Sequence, residues 1–240
     1  MNLWEALKLD MNKHRAVAMV GGGGKSSTMY ALARGARDAG KRVVVTTTTH
    51  MMPHPKLVLT GDPGAESVRL LLDRHGIVTL GRFFEAEKLE GVGTLLDYKE
   101  AADVVVMEAD GARLRPLKVP RDGEPVIQPG VDAVVAVAGM DSVGQPIGAV
   151  CHRVELVCAL LDKPPEALVT PADVAAILSS PRGGRKCVEE CMAFRCVLNK
   201  ADTPQRRTAA AEAAAALAAR GIHAAVTCYR EEERGGKCLF

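Results

Sequence analysis

Aromatic side chains are scarce in this chain. One Trp, three Tyr and four Phe make up 3% of 240 residues, so the core must be built mainly from Val, Leu, Ala, Ile and Met. Neither sign of charge dominates: 31 Lys and Arg stand against 29 Asp and Glu, a formal net charge of +2. That balance gives no bulk attraction to nucleic acid or to a membrane surface. No apolar run approaches the roughly 20 residues needed to cross a bilayer. The beginning, Asn2-Leu3-Trp4-Glu5-Ala6-Leu7, is interrupted by charge and lacks a signal-peptide core. Seven cysteines, an odd number in a chain this long, do not suggest a disulfide framework. The expectation is a cytoplasmic protein with neither nucleic-acid nor membrane partners. A content of 48% hydrophobic and 25% charged residues is ordinary for a globular enzyme. The length suits one nucleotide-binding α/β domain over residues 1–240.

Residues 1–14 read as a short amphipathic helix, with Asn2 and Glu5 spaced as a capping pair. Beyond it, strand and helix patterns alternate. Apolar or β-branched runs at 16–20, 42–48, 77–80, 103–107, 132–138, 193–198 and 223–226 predict strands. Helical patterns fall at 26–39, 66–74, 94–101, 153–161, 171–178 and 203–220. Continuous apolar strands separated by helices predict a mostly parallel sheet covered on both faces, the three-layer sandwich in which P-loop nucleotide hydrolases are built.

Two strings carry the most chemistry. In Gly21-Gly22-Gly23-Gly24-Lys25-Ser26-Ser27, glycines allow a loop whose N–H groups turn toward one anion. The helix that follows adds the positive end of its dipole. Lys25 then suits the β- and γ-phosphates, and the Ser26 hydroxyl suits Mg²⁺. The full P-loop pattern has a glycine six residues before the lysine, where this chain has Met19, so the loop is a shortened version. The alternative is a plain glycine turn between strand and helix. Far downstream, Asn199-Lys200-Ala201-Asp202 matches the Asn-Lys-x-Asp guanine reader, in which the aspartate accepts from the ring N–H and exocyclic amine of the base. The alternative there is a polar loop in which Asp202 or Thr203 caps the next helix. Both strings together favour GTP over ATP.

The strand at 103–107 delivers Glu108 and Asp110 at its carboxyl end. Asp110 is assigned to the metal region and Glu108 to water positioning, roles that can be exchanged; an Asp-Gly turn is the plainer reading. Thr48, closing the second strand, is a candidate to complete the Mg²⁺ shell. Arg113, Arg115 and Lys118 follow the acids and suit phosphate or an anionic substrate, or form a solvated basic loop. Cys187 and Cys191 are spaced to share a helix face, with Cys196 in the next strand. Three thiols suit a soft metal or a selenium species, but without a fourth ligand small buried core residues are favoured.

With Gly22 to Lys25, Thr46 to His50 and Glu108-Ala109-Asp110-Gly111-Ala112 in one order, the chain resembles the YqeC family. Further likeness lies in Lys88 to Gly91, Pro116 to Lys118, Glu124 to Ile127, Gly139 to Pro146, His152-Arg153 and Asn199 to Asp202, so the family-like region is 15–202. The resemblance implies a nucleotide-binding α/β accessory protein tied to a selenium-containing cofactor of molybdenum hydroxylases, with the hydroxylase or its cofactor as partner; the glycine loop and the acids add nucleotide hydrolysis as the expected step. It also makes Lys88, Glu124, His152 and Arg153 candidate substrate or switch residues, alongside Arg113, Arg115 and Lys118. A histidine is expected before the Glu-Pro pair, where this chain has Gly123, so a role for the Glu124 loop does not follow from the family string. Two other functions fit the same residues. One is an ATP-dependent small-molecule kinase or adenylyl transferase acting on a selenium or cofactor precursor; the other is a nucleotide sensor without turnover.

Overall fold

The computed structural model describes residues 2–52, 58–61, 64–84 and 88–229. Eight strands form one sheet: β1 (Ala16–Gly21), β2 (Val43–Thr47), β4 (Val58–Thr60), β5 (Ile77–Leu80), β8 (Val104–Glu108), β10 (Ala133–Gly139), β12 (Ala193–Asn199) and β13 (His223–Val226). Their spatial order is β13-β12-β10-β1-β8-β2-β5-β4, and every neighbouring pair is parallel. The central strands β1 and β10 are apolar and buried along their whole length because both of their faces are covered. Ala16, Ala18 and Val20 belong to one core, while Val17 and Met19 belong to the other.

Helices α1 (Leu3–Ala6) and α2 (Lys25–Asp38) cover the second face. The first face carries α3 (Ala65–His75), α4 (Leu95–Ala101), α6 (Val154–Leu161), α7 (Pro171–Ser179) and α8 (Pro204–Ala218). A further turn, α5 (Ile147–Val150), precedes α6. This is the parallel α/β sandwich that the alternating pattern predicts. The mainly aliphatic composition appears in the core as Val, Ala, Leu and Met, with Trp4 and Tyr98 among the few large aromatic fillers.

Several elements escape the sequence pattern. A three-stranded antiparallel sheet, β3 (His50–Met51), β7 (Lys88–Glu90) and β6 (Arg82–Phe84), abuts the end of β2. There a Cβ on Gly91 would lie 2.0 Å from the Thr47 carbonyl oxygen. The two-residue strands β9 (Leu117–Lys118) and β11 (Cys151–His152) pair in parallel. Cys187 and Cys191 were expected to share a helix face, but residues 181–187 form turns and Cys187 adopts a left-handed φ of 60°. Cys187 and Cys191 are exposed, and no shared helix face exists for them.

The start of the chain is tied down by the one Trp. Asn2 and Glu5 form the expected capping box on α1. Trp4 is 1% exposed and donates from Nε1 to the Leu32 carbonyl at 2.8 Å. A Cβ added at Gly35 would meet Trp4 Cδ1 at 3.3 Å, so glycine lets the indole lie close to α2. Trp4→Phe removes the hydrogen bond and part of the volume. It is expected to lower stability by about 1–3 kcal/mol in urea unfolding followed by far-UV circular dichroism. A loss under about 0.5 kcal/mol would show that α1 docks without the indole.

Candidate functional site

In an open parallel sheet, the crevice lies outside the carboxyl ends of the strands, where the strand order reverses. Here that place is β1, which has β8 on one side and β10 on the other. The glycine loop leaves β1 into this crevice, and its glycines are required by close approaches. A Cβ at Gly21 would lie 2.3 Å from the Val137 carbonyl oxygen, and one at Gly23 would lie 2.1 Å from Gly139 N. Three of the loop N–H groups are spent inside the protein. Gly21 N–H donates to Asp110 Oδ2 at 3.0 Å, Gly22 to Val137 O at 2.9 Å and Gly23 to Arg115 O at 3.0 Å. Of the loop N–H groups expected to turn toward an anion, those of Gly21, Gly22 and Gly23 are therefore not among the donors. The backbone donors left over are those beginning α2, whose N-cap Gly24 provides no side-chain cap.

At this helix start four side chains converge. Lys25, 6% exposed, donates to the Gly21 carbonyl at 2.7 Å and lies 3.3 Å from Asp110 Oδ1 and 3.7 Å from Glu108 Oε1. Ser26 Oγ donates to Glu108 Oε2 at 3.2 Å. Burial pushes the Glu108 carboxyl above its ordinary value, and Asp110 adds to this against the opposing pull of Lys25 and Ser26. Asp110 Oδ1 is buried without a hydrogen-bond partner.

A hard cation takes oxygen donors, often one or two carboxylates completed by substrate phosphates and water. Asp110 Oδ1, which makes no hydrogen bond and has the Lys25 ammonium 3.3 Å away, fits that donor set together with Glu108 and the Ser26 hydroxyl. Among the described residues no group of three or more His, Cys, Asp or Glu forms an all-protein metal cage. Thr48, the other expected Mg²⁺ donor, directs its hydroxyl to the Val126 carbonyl at 2.7 Å, and its N–H to the Glu108 carbonyl at 2.9 Å. It joins the end of β8 to the 124–126 loop.

From Asp110 a chain of alternating charge runs away from α2. Lys118, with a side chain 0% exposed, reaches Asp110 Oδ2 at 3.1 Å, Glu124 Oε2 at 3.0 Å and the Gly111 carbonyl at 2.6 Å. Glu124 Oε1 then accepts from Arg153 Nη2 at 2.6 Å and faces Arg121 Nε at 3.3 Å. Burial works to raise the Glu124 carboxyl, but Lys118, Arg153 and Arg121 outweigh it and hold the group below its ordinary value. His152 is pushed down by burial first, then by Arg153, Lys118 and Arg113, with Glu124 opposing. Arg115 bonds the Ala149 carbonyl, Arg113 is exposed, and Lys88 is exposed on the antiparallel sheet.

The Asn-Lys-x-Asp string sits where β12 ends, across the glycine loop. Asn199, 4% exposed, donates from Nδ2 to the Gly23 carbonyl at 2.9 Å and accepts from Thr227 Oγ1 at 3.0 Å. Lys200, with φ of 61°, is paired to Asp141 Oδ2 at 2.6 Å. Asp202 is paired to Arg206 at 2.5 Å, four residues along at the start of α8, whose cap is Thr203. Asp141 and Arg206 were missed as site residues. The Asp202–Arg206 spacing was readable as an i,i+4 helix pair; the Asp141–Lys200 pairing leaves no local signal. Among the cysteines, burial pushes Cys196 up to about 12, the behaviour of a core thiol. Cys187 and Cys191 line an open cavity of about 930 Å³ together with Glu124 and Lys186.

The fold and site together define a parallel α/β sandwich protein with a buried lysine and two carboxylates gathered at a glycine-loop helix start. Within that class the chain belongs to the YqeC family. The family model, described as YqeC protein, matches residues 17–155, which include the glycine loop, both acids, Lys118, Glu124 and His152. The chain is 30% identical over 197 residues to "Uncharacterized protein YqeC" of Escherichia coli (strain K12), covering 77% of each. No solved structure matches. Among the described residues no helix is long and apolar enough to cross a membrane.

Proposed function

We propose that this protein binds a nucleoside triphosphate with Mg²⁺ at the start of α2 and hydrolyses it, with GTP favoured. The observation that carries the reading is the convergence of Lys25, Ser26, Glu108 and Asp110 on an uncapped helix N-terminus. Such a terminus favours phosphate through its free N–H groups and dipole. Lys25 is the cation for the β- and γ-phosphates, and Ser26 and Asp110 are the oxygen donors for Mg²⁺, which would offset the charge of the phosphates. Glu108, whose carboxyl is already raised by burial, is suited to hold and orient a water. Gly21 to Gly24 and Ser27 supply the loop and the first turn. The guanine preference is supported by Asn199, which ties the base-reading string to the Gly23 carbonyl, with Lys200 and Asp202 as base contacts. From the family strings alone we attach the pathway: maturation or selenium-cofactor insertion in a molybdenum hydroxylase.

One observation favours a second reading. Arg206 holds Asp202 at 2.5 Å, and guanine recognition requires that carboxylate. If the pair is structural, ATP serves instead, and the protein is an ATP-dependent kinase or adenylyl transferase on a cofactor precursor. Competition of GTP and ATP for a fluorescent nucleotide in Mg²⁺ decides between them. On the guanine reading GTP wins, and Asp202→Asn lowers GTP affinity by about 10- to 100-fold while improving xanthine nucleotide. Equal binding of ATP with a silent Asp202→Asn would sink guanine recognition. Binding without turnover in the presence of cell extract would leave a sensor.

A further inference from the structure

Beside the glycine loop lies a second group of polar side chains that keep nitrogen atoms without hydrogen-bond partners. Pairing of β9 with β11 sets His152 opposite Lys118, and Arg115 fastens the 111–115 loop to the Ala149 carbonyl just before this segment. The same loop is locked to the glycine loop through Arg115 O, which accepts from Gly23 N–H. Arg113 is exposed and makes no hydrogen bond or ion pair among the described residues. The half-buried His152 ring makes no hydrogen bond among them either. Arg153 gives Nη2 to Glu124, yet its Nε is buried without a partner.

A solvated basic face would account for Arg113 alone. It does not account for a half-buried imidazole and a buried guanidinium N–H left unpaired, since an unmet buried donor costs on the order of 1–3 kcal/mol. Nor does it explain the backbone. Arg113, Leu114 and Arg153 hold φ values of 47°, 61° and 61°, a left-handed region that side-chain-bearing residues occupy at a cost of roughly 1 kcal/mol or more each. Two of the three unpartnered groups are thus presented by strained backbone. The other nearby cations are consumed within the protein, Lys118 by Asp110, Glu124 and Gly111, and Arg115 by Ala149. Arg113 is surplus to them. Groups that lack an acceptor, on a surface where cations outnumber Glu124, call for an oxyanion.

We infer that Arg113, His152 and Arg153 form a subsite for a small molecule bearing a phosphate or carboxylate group, next to the glycine loop. Its role as the site of a second substrate rests on the nucleotide reading above; the anion subsite itself does not. An anion there raises the His152 imidazole, now held down by burial, Arg153, Lys118 and Arg113 against Glu124.

The test follows the ring protons of His152 by NMR in the full chain while sodium sulfate, standing in for a phosphate group, or sodium acetate is added. The resonance is assigned by its loss in His152→Gln. Binding of either anion is expected to move the His152 titration to higher pH. Arg113→Ala, at an exposed position, is expected to weaken the response about tenfold, and Lys25→Ala is expected to leave it in place. A His152 signal indifferent to both anions overturns the subsite. So does a response that Lys25→Ala removes and Arg113→Ala does not, because the anion is then acting from the α2 terminus. If Mg²⁺–nucleotide fails to bind while sulfate still moves His152, the nucleotide reading falls and the subsite stands.

Discussion

Lys25→Met is expected to weaken Mg²⁺–GTP binding by about 10- to 100-fold, the size of one lost charge-assisted contact. It is also expected to make the fold more sensitive to alkali. Lys25 is 6% exposed and lies beside two buried carboxylates, Asp110 at 3.3 Å and Glu108 at 3.7 Å. Taking one partner out of such a cluster leaves uncompensated buried charge, which costs about 3–5 kcal/mol when the remaining groups stay ionised.

They need not all stay ionised, and this gives the prediction its shape. The folded pKa of Glu108 already lies above its ordinary value. An acid raised in this way contributes most to stability below its unfolded pKa, and that contribution is lost as pH rises through the folded value. Removing Lys25 raises Glu108 further, so the carboxyl takes up a proton at mildly acidic pH. The stability gap between Lys25→Met and wild type should therefore be small near about pH 5 and widen toward about pH 8. Urea denaturation at both pH values measures it. A gap of the same size at both would show that Lys25 does not neutralise these carboxylates. A widening gap with unchanged nucleotide affinity would separate the electrostatic account from the proposed ligand.

Long-range pairing marks the boundary of what could be read from sequence. Strands 77–80 and 223–226 were expected with the bounds observed, and the other expected strands differ by one residue at one or both ends. Each is a buried apolar run between turn residues, so local chemistry defines it. β4, β6 and β7 have three residues each, too few to show a period. Cys187 and Cys191, four apart, were expected to share a helix face, which the turns at 181–187 do not provide. Gly183 and Gly184 instead lie against the carbonyls of Ile177 and Leu178, where a Cβ would come within 2.0 and 2.7 Å. Within the site, the convergence of Lys25 with Glu108 and Asp110 was legible because glycine loop and acids end adjacent parallel strands. The roles of Asn199, Lys118 and Asp141 were not. Each depends on a partner supplied by another strand or loop, such as Asn199 on Gly23, 176 residues away.

Lys118→Met is expected to destabilise the protein by about 3–5 kcal/mol at neutral pH, one of the largest losses available to a single substitution here. The ammonium is fully enclosed and serves Asp110, Glu124 and the Gly111 carbonyl at once. Methionine nearly matches its volume, so packing loss is minor and the cost is electrostatic. Glu124 adds a pH signature opposite to that of Glu108. Its folded pKa is depressed, so its contribution is present above its unfolded pKa and disappears as pH falls through the folded value. Without Lys118 much of that depression is gone, and the stability curve of the variant should flatten on the acid side. Pairing Lys118→Met with Glu124→Gln should recover about 1–2 kcal/mol relative to additivity, since each single change strands the other's partner. Strict additivity would mean that Arg153 and Arg121 alone hold Glu124. The consequence reaches the candidate site through Asp110, whose Oδ2 also accepts from Gly21 N–H at 3.0 Å. With Lys118 gone, that one carboxylate oxygen is left to hold the first glycine of the loop. Weaker nucleotide binding in Lys118→Met, rescued at low temperature where the fold is intact, would count against this positioning role. Weakening that persists in the folded protein would support it.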